Sequence, residues 1–178
     1  MTKFTSRLAQ RADIDALRVV MQRAITQLQT DFLTPEQIAA SQLVMGLDTQ
    51  LVTDQTYFVV ESAGTIAGCG GWSWRATLYG GDDSIVVRAP LALDPAQDAA
   101  KIRAMYTDPA FARRGIGRMV LGLCENAARA AGFRRAEMMA TMAGELLYRA
   151  VGYLPVEVVN SAPVNGVTVP LLRMEKRL

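Results

Sequence analysis

The chain has 178 residues, 51% hydrophobic and 20% charged, with 19 Lys+Arg against 17 Asp+Glu and no histidine. That length fits one domain, spanning residues 1–178, which buries about two-thirds of its unfolded surface without disulfide or metal staples. A net charge of +2 argues against bulk nucleic-acid binding, and the missing histidine excludes Ser-His-Asp and Cys-His catalysis and every His-containing metal site.

Phe4 to Leu8 forms a short strand candidate, and Asp13 opens a helix whose apolar stripe is Ile14, Leu17, Met21, Ile25 and Leu28. Thr34-Pro35-Glu36-Gln37 starts a second helix, with Thr34 as N-cap, Pro35 at the first helical position and Gln37 closing a capping box. This helix runs to about Val44. Tyr57 to Glu61 then reads as a strand, Ala63-Gly64 as a turn, and Thr65 to Trp74 as the partner strand. Gly68, Gly70 and Gly71 predict a bulge or a close backbone approach there. Arg75 to Asp98 is irregular and acidic, with a short strand expected at Ser84 to Arg88; connections this long are usually functional or mobile.

Lys101 to Thr107 alternates, placing Ile102, Ala104 and Tyr106 on one face, and Asp108-Pro109 ends that strand. A third helix begins near Gly115-Ile116-Gly117, with the stripe Ile116, Met119, Val120, Leu123, Cys124, Ala127 and Ala131, and Gly132 as C-cap. Phe133 to Ala140 reads as a strand, Gly144 to Val151 as a short helix, and Tyr153 to Asn160 and Val167 to Lys176 as two strands around an Asn165-Gly166 turn. The expected fold is a single α/β domain with a mixed central sheet flanked by helices.

Cys69 and Cys124 are isolated, with no CxxC spacing, which fits a reducing, cytoplasmic setting and no metal site. No apolar run reaches the ~20 residues of a membrane span, and the first residues lack the apolar core of a secretory signal. No membrane partner is expected.

Charge is unevenly placed. Residues 1–100 hold 7 basic and 11 acidic side chains, whereas residues 101–149 hold 9 basic and 4 acidic. A basic stretch of this kind accompanies an anionic ligand or is a set of solvated arginines. Arg113-Arg114-Gly115-Ile116-Gly117-Arg118 opens the most periodic helix. The first helical turn offers unpaired N–H groups and a partial positive charge, so a pyrophosphate is its natural guest. A dinucleotide fingerprint would need a third small residue where Val120 stands, and a P-loop would need Gly-Lys-Ser/Thr. The bland alternative is two glycines easing a helix past a strand.

The stretch from Ile102 to Arg118 resembles the GCN5-related N-acetyltransferase (GNAT) superfamily, in its strand, its Asp108-Pro109 exit and its loop before the helix. The first position of the family's loop pattern falls on Ala112, which departs from the usual Arg or Gln. Tyr148, four residues before Gly152-Tyr153, matches a second family feature. The resemblance implies acetyl-CoA as co-substrate and direct acetyl transfer to an amine acceptor, a small molecule or a peptide. It implies that the strand at Met105, Tyr106 and Thr107 splays from its neighbour and binds pantetheine. It further implies that Arg113, Arg114, Gly115, Ile116, Gly117 and Arg118 hold the pyrophosphate and that Thr141 stands at a cofactor-touching position. Tyr148 is the implied general acid, and Glu137 is the candidate base, beside Asp108, Asp82, Asp83 and a water relay. Trp72 and Trp74, on one face of their strand, are the candidate acceptor-side residues, with ordinary core packing as the alternative. The acidic excess of residues 1–100 favours a cationic acceptor. A non-catalytic acyl-CoA-binding module is the alternative on the same fold, and the C-terminal hairpin is a candidate homodimer surface.

Overall fold

The computed structural model describes residues 3–178. A short strand, β1 (Thr5–Leu8), leads into helix α1 (Ile14–Gln27). Helix α2 (Pro35–Val44) starts as expected: Thr34 Oγ1 accepts from the Gln37 N–H at 3.2 Å, and Gln37 Oε1 accepts from the Thr34 N–H at 3.1 Å. A third helix, α3 (Thr49–Thr53), was not anticipated; it is one turn long and capped by Asp48, which accepts from the Gln50 N–H at 3.0 Å. Strands β2 (Tyr57–Ser62) and β3 (Thr65–Ser73) form a hairpin. Ala63 and Gly64 at its tip both have positive φ, the pairing that a two-residue turn between twisted strands requires.

After a long connection come β4 (Ala100–Thr107), α4 (Ile116–Ala130), β5 (Arg135–Thr141), α5 (Glu145–Ala150), β6 (Leu154–Asn160) and β7 (Pro170–Arg177). One sheet holds the seven strands in the order β1-β2-β3-β4-β5-β7-β6. The β4–β5 contact is parallel and the others are antiparallel. Helices α1 and α3 cover one face over Tyr57, Val59, Cys69 and Tyr106. Helices α4 and α5 cover the other over Val60, Trp72, Ile102 and Met138. Among the described residues no helix is long and apolar enough to cross a membrane.

Three local expectations are corrected. The regular alternation of Ile102, Ala104 and Tyr106 fails, because β4 carries a bulge: Gly71 pairs with Arg103 and Cys69 with Tyr106, so Gly70 faces two residues. Ala104 takes φ +50° to make it, and the Tyr57 hydroxyl donates to Ala104 O at 2.7 Å. Ser84 to Arg88 is not a strand, since the Ile85 N–H donates to Leu43 O at 3.0 Å and ties the segment to α2 rather than to the sheet. The buried stripe of α4 is Ile116, Val120, Leu121, Cys124 and Ala128, which leaves Met119 exposed.

Helix α4 comes close to β3 because β3 is glycine-rich. A Cβ on Gly68 would overlap Ile116 Cγ2 and stand 3.0 Å from Tyr106 O. On Gly70 it would overlap the Met105 sulfur and stand 2.8 Å from Val120 Cγ1. Gly68→Ala is therefore expected to destabilise the protein by about 1–3 kcal/mol through overpacking. Calorimetric melting would show a Tm several degrees lower, at about 2–4 °C per kcal/mol for a chain of this size. An unchanged Tm would contradict so close an approach.

Candidate active site

The site begins where a strand pairing stops. Strands β4 and β5 pair only through Ala100, Lys101 and Ile102 with Ala136, Glu137 and Met138. Beyond Met138, β5 continues along β7, while β4 continues along β3. A wedge opens between them. The Asp108 N–H donates to Ala67 O at 3.0 Å, so strand alternation turns the Thr107 and Met105 backbone groups away from β3 and toward the wedge.

The loop after β4 brings the start of α4 to the mouth of this wedge. Asp108 accepts from the Ala110 N–H at 2.8 Å and from Arg23 at 2.8 Å, which ties the loop to α1. Arg113 and Gly115 both have positive φ, and Gly115 is the N-cap of α4. The first ladder bond of the helix runs from the Met119 N–H to Gly115 O, so the Ile116, Gly117 and Arg118 N–H groups precede its internal pairing. A Cβ on Gly117 would stand 2.7 Å from Leu147 Cδ2, a closeness that brings α4 and α5 together at the cleft wall.

A cleft of about 760 Å³ is lined by Met105, Tyr106, Thr107, Arg113, Gly115, Ile116, Gly117, Arg118, Thr141 and Tyr148. It fits an elongated, anionic cofactor: strand-edge groups along one wall, then a helix N-terminus with arginines at one end. A second, smaller chamber of about 70 Å³ adjoins it, sharing Met45, Met105, Tyr106, Thr141 and Tyr148. It extends under the long connection to Leu78, Tyr79, Gly80 and Arg103.

Most residues singled out in the sequence thus meet at one cleft, with exceptions. Arg114 does not line it; its guanidinium lies over the Phe4 and Phe111 rings at 5.3 and 5.6 Å. Thr141 Oγ1 accepts from the Gly144 N–H at 3.1 Å and shapes the turn into α5. Trp72 and Trp74 both sit on the α4 face, and neither lines the cleft or the chamber. Trp72 is buried edge-on against Trp74 and Phe133, at 5.8 and 5.9 Å, so the pair fills core. Glu137 also lines neither cavity, and its two oxygens are engaged by Lys101 and Arg173. Asp82 accepts from the Thr49 N–H and pairs with Arg88, and Asp48 pairs with Arg88 and Arg103. Asp48 and Asp82 are therefore committed to local arginines rather than to the cleft. The Met45 to Asp48 turn and the Leu78 to Gly80 segment, which shape the chamber, carried no sequence signal beyond glycine content.

Tyr148 is buried, edge-on to Tyr153 at 6.2 Å, and burial raises its phenol well above the ordinary tyrosine range, with Cys124 nearby adding to this. Burial also raises Tyr57, Tyr106 and Tyr153.

The fold is shared with N-acetyltransferases of known structure. One is a GCN5-related N-acetyltransferase from Rhodopseudomonas palustris, 18% identical, with TM-score 0.72 over 100% of this chain and 98% of that one. An N-acetyltransferase from Staphylococcus aureus Mu50 is 16% identical, with TM-score 0.66 and 99% of both chains covered. One from Thermoplasma acidophilum, solved in complex with coenzyme A, is 13% identical, with TM-score 0.61 and 99% of both covered. A search of curated proteins finds no match. Residues 22–153, more than half of the chain, match the acetyltransferase (GNAT) family, and the chain belongs to that family.

The four raised phenols give a pH prediction. Their neutral forms are favoured by the fold, so their contribution to stability is intact below the ordinary tyrosine value near ~10 and is lost as pH rises through their higher folded values. Ultraviolet titration of the folded protein, which has five tyrosines, should leave these four un-ionised around pH ~10, with ionisation appearing together with alkaline unfolding. Full ionisation of a still-folded protein at that pH would contradict their burial.

Proposed function

We propose that the protein transfers the acetyl group of acetyl-CoA directly to an amine, without an acyl-enzyme intermediate. The observation that carries this reading is the β4–β5 wedge: an unpaired strand edge that leads on one side to the Gly115–Gly117 helix start and on the other to the Tyr148-lined chamber. When bound, acetyl-CoA supplies a thioester carbon: the amine nitrogen bonds to it, the C–S bond breaks, and the amine proton leaves while the sulfur departs to become the free thiol.

The chain's own groups divide this work. Met105 and Thr107 backbone groups hold the pantetheine arm as a neighbouring strand would. The Met105 N–H donates to the thioester oxygen as it gains charge, an oxyanion-type contribution of about 2–4 kcal/mol in comparable sites. Backbone N–H groups from Arg113 to Arg118 bind the pyrophosphate, with the Arg113 and Arg118 side chains adding charge at the cleft.

Tyr148 donates to the departing sulfur. An ordinary phenol has a pKa near ~10 and a thiol one near ~8.5, and burial raises Tyr148 further. Full proton transfer to the sulfur is therefore uphill, and Tyr148 serves mainly as a hydrogen-bond donor that stays protonated across the neutral range. Of the carboxylates, Asp31 alone lines the cleft and none lines the chamber. With Glu137 occupied by Lys101 and Arg173, a water relay through the chamber takes the amine proton.

Calorimetric titration with acetyl-CoA, beside free-thiol release over an amine panel, tests the reading. Binding with amine-dependent release is expected. Binding without release on any amine favours a non-catalytic acyl-CoA-binding module, and no binding removes both readings. Tyr148→Phe is expected to lower kcat by about 10²-fold while leaving acetyl-CoA binding within a few-fold. A kcat within about two-fold of wild type would remove Tyr148 from the mechanism.

A further inference from the structure

Tyr148 lines both the cleft and the chamber, and a donor placed there has to be aimed. Elsewhere in this protein a buried phenol is aimed by its own hydroxyl: Tyr57 donates to Ala104 O at 2.7 Å, and Tyr106 donates to Gly46 O at 3.0 Å. Among the described residues the Tyr148 hydroxyl has no such partner. The direction of its ring is therefore left to packing.

That packing comes from a residue with no side chain. Helical side chains lean toward the helix N-terminus, so the Tyr148 ring lies back over Gly144, four residues earlier on the same face. A Cβ on Gly144 would stand 2.7 Å from Tyr148 Cε2 and 3.3 Å from Thr141 Oγ1, whereas ordinary van der Waals contact begins near 3.4 Å. The backbone itself does not require glycine, since φ is −82° and ψ is −20°, values open to any residue. Gly144 is also the N-cap of α5, where Ser, Asp or Asn would ordinarily be favoured. The chain around it is tied down. The Gly144 N–H donates to Thr141 O and Oγ1 at 3.0 and 3.1 Å, the Tyr148 N–H to Gly144 O at 3.2 Å, and the Tyr153 N–H to Tyr148 O at 3.0 Å. An added methyl would thus move the ring rather than the backbone. The Tyr153 ring, edge-on at 6.2 Å, is itself buried, which leaves the cleft as the side that yields.

We propose that Gly144 is a positioning residue: by leaving room for the Tyr148 ring against the Thr141–Gly144 turn, it sets where the phenol meets the cleft. That this placement serves the departing sulfur rests on the acetyl-transfer reading above; the seating of the ring does not.

Gly144→Ala should lower kcat about ten-fold or more, since a misplacement of about 1 Å can cost roughly 10²-fold, while acetyl-CoA affinity stays within a few-fold and Tm within a few degrees. In a Tyr148→Phe background the same change should leave kcat within about two-fold, because no donor remains to be misplaced; a merely structural effect would add in both backgrounds. Gly144→Ser carries the same Cβ on a residue favoured at N-caps, and should repeat the loss if the alanine variant is unstable. Placement is read without turnover by NMR of protein labelled at tyrosine Cζ, the Tyr148 signal being the one missing in Tyr148→Phe. That signal should move in Gly144→Ala and Gly144→Ser while those of Tyr57 and Tyr106 hold. A moved signal with no thiol release by the wild type on any amine would leave the seating standing and remove acetyl transfer. An unmoved signal, a kcat within about two-fold of wild type in both glycine variants, or an equal loss in the two backgrounds would overturn the proposal.

Discussion

Three residue pairs hold β4 to β5, and then the ladder ends. In most sheets a strand left unpaired in the middle would be a defect, because its N–H and C=O groups lose water without gaining partners. Here the opening is maintained from both sides. On β4, the bulge at Ala104 is fixed by the Tyr57 hydroxyl, and the Tyr106 hydroxyl bonds both the N–H and the C=O of Gly46 at 3.1 and 3.0 Å. On β5, seven residues pair with β7, so the strand has its own support where it leaves β4. The two halves of the sheet are each complete, and under the proposed function the gap between them is where a ligand replaces the missing strand.

The segment between β3 and β4 is closed by one antiparallel bridge, Arg75 to Ala92, and otherwise organised by charge. Arg75 forks onto Asp54 at 2.8 and 3.0 Å, and Arg88 reaches both Asp48 and Asp82. Arg103 meets Asp48 beneath them. Buried pairs of this kind add little net stability, but removing one partner strands the other. Their effect here is positional: they pin an otherwise irregular segment over the chamber and set its depth.

Legibility in the sequence followed the range of the interactions involved. Helix α2 was readable because its cap lies within four residues, from Thr34 to Gln37. The Gly115–Gly117 helix start and the Tyr148 to Gly152 spacing were readable for the same reason, and both come to the cleft. The bulge was not, since Ile102, Ala104 and Tyr106 look regular and the hydroxyl that holds Ala104 comes from Tyr57, 47 positions away. Trp72 and Trp74 do share a side of β3, as two-residue spacing demands, but which side was decided by α4 settling over Gly68 and Gly70. A charge sum is silent on placement: the fold sets Asp54 on Arg75 and Asp48 on Arg88 and Arg103.

Under the proposed function, the cleft would hold its cofactor largely through main-chain groups: the strand edge at Met105 and Thr107 and the first amides of α4. Peptide groups are common to every residue except for proline's missing N–H, so most side-chain replacements leave such a grip intact so long as the backbone path survives. Positions that guard the path, such as Gly68, Gly70 and Gly117, are few. The rest of the wall is free to drift, and this protein shares its fold with relatives at only 13–18% identity. Recognition by peptide groups therefore separates the inheritance of donor binding from the inheritance of sequence, and leaves side chains around the chamber to diversify toward new acceptors.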